Sequence, residues 1–313
     1  MSVRRVWIYC AALVTVVVLT AAGVALTGLL PARGRPGSRP DQIVTDDIER
    51  YLVTFAAQLD AGQPYRDPTP DERQVAVEGL RSLLSGVDTA PEAVTAPFTH
   101  LGFSHRVDVD DATGRRYLML STSPGDQRPW GVVLVDLSAP IRLVVEVPHP
   151  KFDQHTEVFG ARLFRAVPGS ILLMAGAHRH AGDGAGDVAH NDRSLFTALT
   201  DELAATGRPQ LQLHGFADAS LAGRDAVVST GIAPPSAEAA RVADRLADID
   251  LRVCRPWQET CGDLEGTLNV QARQAARLGT VFVHLEMNNR VRTDDALRTA
   301  VVGALTAARI DNA

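Results

Sequence analysis

The sequence has few cysteines, few aromatic residues and no excess of positive charge. It contains 3 cysteines in 313 residues, and aromatic residues make up 5% of the chain. A small disulfide-dense scaffold is therefore excluded, because such folds need several cysteine pairs. The net charge is −6 and basic residues are spread along the chain, which argues against nucleic acid as a partner, since phosphate recognition needs a basic face. The length allows one large domain with a sizeable core.

Charge is missing altogether from one long run near the N-terminus. Residues 6–30 follow Arg4 and Arg5 and carry no charged side chain. At 1.5 Å per residue a helix of this length spans a bilayer core, and it is longer than the apolar region of a signal peptide. We therefore predict that residues 1–30 are an N-terminal helix that anchors the protein in the cell membrane, with the remainder outside the cytoplasm. Secretion after signal cleavage is the alternative.

Two cysteines, Cys254 and Cys261, lie close together in the segment CRPWQETC. The oxidising compartment of an exported domain favours a disulfide between them. A metal clip is the alternative, but the spacing is wider than the two-residue gap of zinc knuckles. The sequence therefore predicts a Cys254–Cys261 disulfide.

The remaining chain alternates between helix-like and strand-like segments. Residues 31–45, rich in Pro, Gly and Arg, are typical of a flexible linker. Residues 46–92 show helical spacing and a capping Thr69, which predicts a helical cap or stalk. Residues 93–313 begin with a β-hairpin and continue as alternating strands and helices. We therefore predict an α/β fold, a mainly parallel mixed sheet with helices on both faces, and a hydrolase-like catalytic domain over 93–313.

Ionisable side chains follow several predicted strands. His149 comes directly after the apolar run of residues 143–147, with Asp153 and Glu157 in the segment behind it, and His214 and Glu286 end later strands. The carboxyl ends of parallel strands meet at one edge of a sheet, where ligand sites form. Catalytic zinc takes three ligands of His, Glu or Asp type. Structural roles are the alternative: His149 can hydrogen-bond its loop, Glu157 suits a first helical turn, and His214 suits a core.

The order of these motifs suggests a family. VPHPKFDQHTE, AGAHRH, DVAHNDRSLF, LQLHGF and VFVHLEMN resemble the zinc-dependent amidohydrolases of the carboxypeptidase-like group, which includes N-formylglutamate amidohydrolases, poly-γ-glutamate hydrolases and cell-wall amidases. The resemblance covers residues 142–292. It implies Zn²⁺ as cofactor, His149, Glu157 and His214 as its ligands, and Glu286 as the general base. The gap from His149 to Glu157 is longer than in carboxypeptidases, which leaves Asp153 as the alternative acidic ligand.

Other polar residues suit a supporting role. Asp187 and His190 suggest an outer layer of the site, and His190 either binds substrate, stabilises an oxyanion or is structural. Arg290 and Arg292 either pair with a substrate carboxylate or are solvated.

The sequence thus predicts an exported, membrane-tethered zinc-dependent hydrolase. It would cleave an amide or peptide bond in a small peptide or amide substrate, and its location points to peptidoglycan-derived or extracellular peptide material. The alternative is a non-catalytic metal-binding or envelope-binding domain on a hydrolase-like fold. A serine hydrolase using Ser194 or Ser229 is disfavoured because neither lies in a G-x-S-x-G segment. The oligomeric state is not predicted.

Overall fold

A β-sheet covered by helices on both faces forms the centre of the molecule. The structure is a computed structural model, and it describes residues 47–86 and 91–311. Its strands are β1 (Ser104–Val109), β2 (Arg116–Ser121), β3 (Val132–Asp136), β4 (Leu143–Val147), β5 (Ser170–Met174), β6 (Gln210–Gly215), β7 (Ala226–Ser229), β8 (Val253–Cys254) and β9 (Phe282–Met287). Its helices are α1 (Ile48–Ala57), α2 (Pro70–Ser85), α3 (Pro91–His100), α4 (Thr156–Ala166), α5 (Leu195–Ala205), α6 (Ala237–Ala247), α7 (Val270–Leu278), α8 (Asn289–Thr293) and α9 (Asp295–Ala307).

The strand order places four parallel strands side by side. Across the described residues the sheet runs β1-β2-β3-β5-β4-β6-β9-β7-β8. Strands β5, β4, β6 and β9 are parallel to one another, so their carboxyl ends share one edge. The hairpin β1–β2 and strand β3 extend the sheet in antiparallel fashion, and β7 is antiparallel to β9. The α/β class is confirmed, but the sheet as a whole is more evenly mixed than the predicted mainly parallel one.

Alternating side chains divide the core between the two faces of the sheet. Val145 and Val147 of β4 pack in one apolar cluster with α1, α4, α6 and α9. Val144 of the same strand packs in a second cluster with α2, α3 and α5. Helix α7 contacts α5. This period-2 alternation explains why the central strands are apolar on both faces.

Most helix boundaries follow the capping signals of the sequence. Helix α2 begins with the Thr69–Glu72 capping box. Helix α5 begins at Leu195 with Ser194 as its cap. A 3₁₀ turn (Gly262–Glu265) precedes α7, which begins at Val270 with Asn269 as its cap.

The described residues cover only some of the predicted segments. The membrane anchor (1–30) and the linker (31–45) lie outside the described residues. Among residues 47–86 and 91–311 no helix is long and apolar enough to cross a membrane. Helix α1 contacts α4, and α2 contacts α5. The division into a cap (46–92) and a catalytic domain (93–313) stays a prediction.

The predicted disulfide is present between Cys254 and Cys261. Cys254 lies on β8, the short edge strand that pairs with β7. Both cysteines are buried in a small apolar cluster with Phe216 and Val227. The bridge therefore fastens an edge strand to the loop that follows it.

Replacing both cysteines by alanine should lower the free energy of unfolding by about 2 kcal/mol, because an open loop of this short length gives the unfolded chain more freedom. Denaturant unfolding of the full-length protein measures this change. Wild-type protein unfolded in reductant is the control and should lose a similar amount. Equal stability of the variant and the oxidised wild type would contradict a stabilising bridge.

Candidate metal centre

The carboxyl ends of three neighbouring parallel strands bring His149, His214 and Glu286 into one cavity. His149 follows β4, His214 lies near the end of β6, and Glu286 lies near the end of β9. These residues line a cavity of about 390 Å³ together with Asp153 and His190. The structure therefore brings these side chains together at one edge of the sheet, as predicted.

Asp153 lies between the two histidines. Its Oδ2 is 3.3 Å from His149 Nδ1 and 3.1 Å from His214 Nδ1. All three residues are buried, with at most 4% of each exposed. Their candidate ligand atoms lie within 4.8 Å of one another, so this group can hold a metal ion.

The other nitrogen of each imidazole is held by a second residue. His149 Nε2 is 2.8 Å from Asp187 Oδ1, and His214 Nε2 is 2.7 Å from Gln212 Oε1. Metal-binding histidines usually make such a contact, because it fixes the ring orientation and the tautomer. Both rings are therefore already oriented with Nδ1 toward Asp153.

The number of protons on the two imidazole rings shows that His149, His214 and Asp153 suit a cation as ligands. A neutral imidazole has one N–H; when that proton is on Nε2, directed to the acceptor there, Nδ1 carries a lone pair. The two Nδ1 lone pairs then face a carboxylate oxygen. Protonating both buried rings would be costly, whereas a metal ion between the three atoms accepts all their lone pairs. In a tetrahedral site the ligand atoms lie about 3.4 Å apart, close to the separations of Asp153 from His149 and His214.

Protonation equilibria at Asp153 and His214 agree with this arrangement. Burial alone would raise the pKa of Asp153, but hydrogen bonds with His149 and His214 lower it well below its ordinary range. Burial lowers the pKa of His214. For His149 burial also acts downward, although hydrogen bonds with Asp153 and Asp187 raise its pKa overall. Carboxylate and neutral imidazole are the forms that bind metals, and the Asp153 and His214 shifts favour them.

Glu157, the acidic ligand that the resemblance implied, lies elsewhere. It is in the first turn of α4, which begins at Thr156, one residue after His155. It belongs to neither group of potential metal ligands among the described residues. The geometry therefore places Asp153, rather than Glu157, beside both His149 and His214.

Glu286 and His284 form the far side of the cavity. With His214 they make a second group whose ligand atoms lie within 4.8 Å of one another. His214 cannot serve a second ion, because its two nitrogens already face Asp153 and Gln212. Within the described residues, Glu286 Oε2 and His284 Nδ1 are buried without a hydrogen-bond partner. Such atoms normally find one, so they are suited to water or substrate entering the cavity.

Burial at this side of the cavity shifts the pKa values of both Glu286 and His284. Burial, followed by the nearby Asp153 carboxylate, raises the pKa of Glu286 well above its ordinary range. Burial lowers the pKa of His284 well below its ordinary range. Glu286 thus has the environment of a group that can accept and return a proton.

Asp187 connects His149 to the mouth of the cavity. Its carboxylate also accepts from His190 Nδ1 at 3.0 Å and from Arg179 Nη2 at 2.5 Å. The Arg179 guanidinium lies over the ring of Phe152, 4.9 Å from its centroid. The sequence interpretation included Asp187 and His190 but missed Arg179, whose signal was its place between two histidines in AGAHRH.

The two late arginines have structural contacts. Arg292 is 4% exposed, and it donates to the backbone carbonyls of Gln154, Phe216 and Met287. Both earlier interpretations, solvation and pairing with a substrate carboxylate, are therefore wrong for Arg292. Its three acceptors lie in the segment after β4, directly after β6 and at the last residue of β9, so it fastens together the strand ends that carry the site. Arg290 pairs with Asp225.

The serines of the serine-hydrolase alternative have other contacts. Ser194 caps α5 and hydrogen-bonds Thr197. Ser229 donates to the carbonyl of Glu265. Neither contacts a histidine through these bonds, which further disfavours that alternative.

Comparisons with known proteins give low similarity. No protein-family model matches the sequence, and no curated protein is similar to it at a significant level. A metallo-carboxypeptidase from Burkholderia cenocepacia is 16% identical, with 71% of this chain and 68% of that chain covered and a TM-score of 0.36. An aspartoacylase family protein from Mesorhizobium loti is 11% identical, with 64% and 70% covered and a TM-score of 0.39.

A third solved structure has a similar score. A succinylglutamate desuccinylase from Silicibacter sp. is 12% identical, with 65% of this chain and 68% of that chain covered and a TM-score of 0.39. The more specific resemblance to N-formylglutamate and poly-γ-glutamate enzymes stays a prediction. Because these TM-scores are below 0.5, the conclusions that follow rest on the residues of the site.

Asp153→Asn should weaken zinc binding by more than about 100-fold, whereas Glu157→Gln should leave it within about threefold, because only Asp153 lies beside both histidines. Competition with a chromophoric chelator measures both affinities in the full-length protein. Glu157→Gln also serves as the control for altering a buried carboxylate in the same segment. The reverse order of effects would make Glu157 the ligand.

Proposed function

We propose that this protein is a zinc-dependent hydrolase of amide or peptide bonds. The observation that carries the proposal is the convergence of His149 Nδ1, His214 Nδ1 and Asp153 Oδ2, with Glu286 in the same cavity. Two imidazoles and one carboxylate are a common ligand set of catalytic zinc, which leaves a coordination position open.

Zinc bound by His149, Asp153 and His214 would supply Lewis-acid polarisation of a carbonyl and an acidified water. Glu286 accepts the proton of the attacking water and then donates it to the leaving nitrogen. Its buried and unpartnered Oε2 gives it access to a water in the cavity, and its raised pKa favours holding the proton between these two steps.

Two residues at the mouth of the cavity can donate hydrogen bonds to a substrate. Arg179 and His190 are both held by Asp187, and both line the cavity. We assign His190 to substrate binding or to stabilisation of the developing oxyanion, with the guanidinium of Arg179 as a further hydrogen-bond donor. His284 offers its unpartnered Nδ1 to the same space.

The proposed location is outside the cytoplasm, with the uncharged run of residues 6–30 as the membrane anchor. The Cys254–Cys261 disulfide supports an oxidising compartment. At that location small peptides and amides, including peptidoglycan-derived peptides, are the proposed substrates.

Glu286→Gln should keep the zinc affinity of the wild type and lower the turnover of an amide substrate by about 10²- to 10⁴-fold, because the proton acceptor is lost while the three ligands remain. The full-length protein, loaded with zinc, is incubated with a panel of N-acyl amino acids and peptidoglycan-derived peptides. Release of free amine measures hydrolysis.

Glu157→Gln is the matched control and should retain activity. Full hydrolysis by zinc-loaded Glu286→Gln would remove Glu286 from the mechanism. Zinc binding without hydrolysis of any substrate in the wild type would favour the non-catalytic metal-binding alternative. A wild type that binds no zinc would overturn the proposed function.

A further inference from the structure

A carboxyl group is buried in the middle of the central strand β4. Glu146 has 0% exposure and lies between Val145 and Val147 in an otherwise apolar strand. Burial raises its pKa to about 8, so the group is mostly protonated at pH 7. A buried carboxyl group of this kind is costly and needs a reason, since an apolar side chain would suit the strand better. Nothing in the proposed reaction uses Glu146 directly.

The reason lies in the amide of Gln212, which is also 0% exposed. Gln212 Nε2 donates to Glu146 Oε2 at 2.7 Å and to Gln271 Oε1 at 3.2 Å. Gln212 Oε1 accepts from Asn269 Nδ2 and from His214 Nε2, the latter at 2.7 Å. Both donors and both acceptor positions of this amide are therefore occupied.

We infer that Glu146 is a positioning residue for the metal centre, acting through Gln212 on His214. This inference rests on the proposed function, because His214 is one of the proposed zinc ligands. Glu146 has no contact with the ligands themselves. Its effect is to hold the amide with Oε1 toward His214, which keeps the imidazole proton on Nε2 and the lone pair of Nδ1 toward Asp153.

The opposite orientation of the amide shows why an acceptor is needed at position 146. If Gln212 turned over, its NH₂ group would face the N–H of His214, and two donors would meet. The imidazole would then have to move its proton to Nδ1, the atom that must bind the ion. Glu146 Oε2 opposes this turn together with Gln271 and Asn269, because the oxygens of Glu146 and Gln271 accept from the NH₂ group and Asn269 donates to Oε1. An oxygen at this place is therefore required, and a charge is not.

The neighbouring Gln210 provides a matched control. It lies two residues earlier on β6, on the same face of the strand, and is 1% exposed. Its Nε2 donates to the backbone carbonyl of Thr200 at 2.8 Å. Removing this side chain deletes a buried amide hydrogen bond in the same strand without touching the chain of contacts to His214.

The experiment measures the affinity for Zn²⁺ alone, by chelator competition, in the full-length protein and four variants. The variants are Gln212→Met, Glu146→Met, Glu146→Gln and Gln210→Met. The melting temperature of each metal-free protein is measured in parallel. We expect Gln212→Met to lose about 10- to 100-fold in zinc affinity and Glu146→Met to lose about 10-fold, as for other outer contacts of metal ligands.

Glu146→Gln separates positioning from general damage. It keeps an acceptor oxygen for Gln212, so its zinc affinity should stay within about twofold of the wild type. Gln210→Met should lower the melting temperature of the metal-free protein and leave zinc affinity unchanged. Glu146→Met and Gln210→Met losing affinity equally, or Gln212→Met binding zinc like the wild type, would overturn the inference. A wild type without zinc affinity would overturn the proposed function and this inference with it.

Discussion

The contact of two imidazole nitrogens with a single carboxylate oxygen is the constraint on which the site depends. His149 Nδ1 and His214 Nδ1 both face Asp153 Oδ2, in a place that water scarcely reaches. Without a cation, two neutral imidazoles supply too few protons for the acceptors around them. Two protonated imidazoles would instead place two positive charges in a buried position. The fold around it is therefore built to hold three lone pairs close together. Each supporting contact acts to prevent one of these groups from turning away.

The contacts that support the ligands come from different parts of the chain. Asp187, on the loop after β5, holds His149, and Gln212, on β6, holds His214. Arg292, from α8, donates to a carbonyl in the segment after β4, to one directly after β6 and to the carbonyl of the last residue of β9. Gly215 makes room for it, because a Cβ there would overlap the guanidinium. A change at any one support acts on the relative position of ligands that are far apart in sequence.

The sequence is sufficient to predict which side chains lie at the ends of the parallel strands. It is not sufficient to predict which acidic residue joins the two histidines. Apolar runs followed by His149, His214 and Glu286 identify the edge where they meet, since parallel strands bring their carboxyl ends together. The choice between Asp153 and Glu157 depends instead on the backbone after His149. There the amide of Asp153 bonds the carbonyl of His149 at 2.9 Å, a tight turn that brings both side chains together. Helix α4 then takes Glu157 into its first turn. Hydrophobic periodicity contains no information about such a turn.

The residues that support the ligands are less evident from the sequence. In β6 the polar residues Gln210, Gln212 and His214 alternate with leucines, which shows that one face of a buried strand is polar. The acid in β4, Glu146, is a second anomaly on the adjacent strand. Register pairs Glu146 with Gln212, so the two anomalies are neighbours across the sheet. That pairing could not be known before the strand order, because β5 and α5 separate the two strands in the chain. Once it is known, Glu146 and Gln212 have one explanation, since Glu146 Oε2 accepts from the amide that in turn orients a ligand.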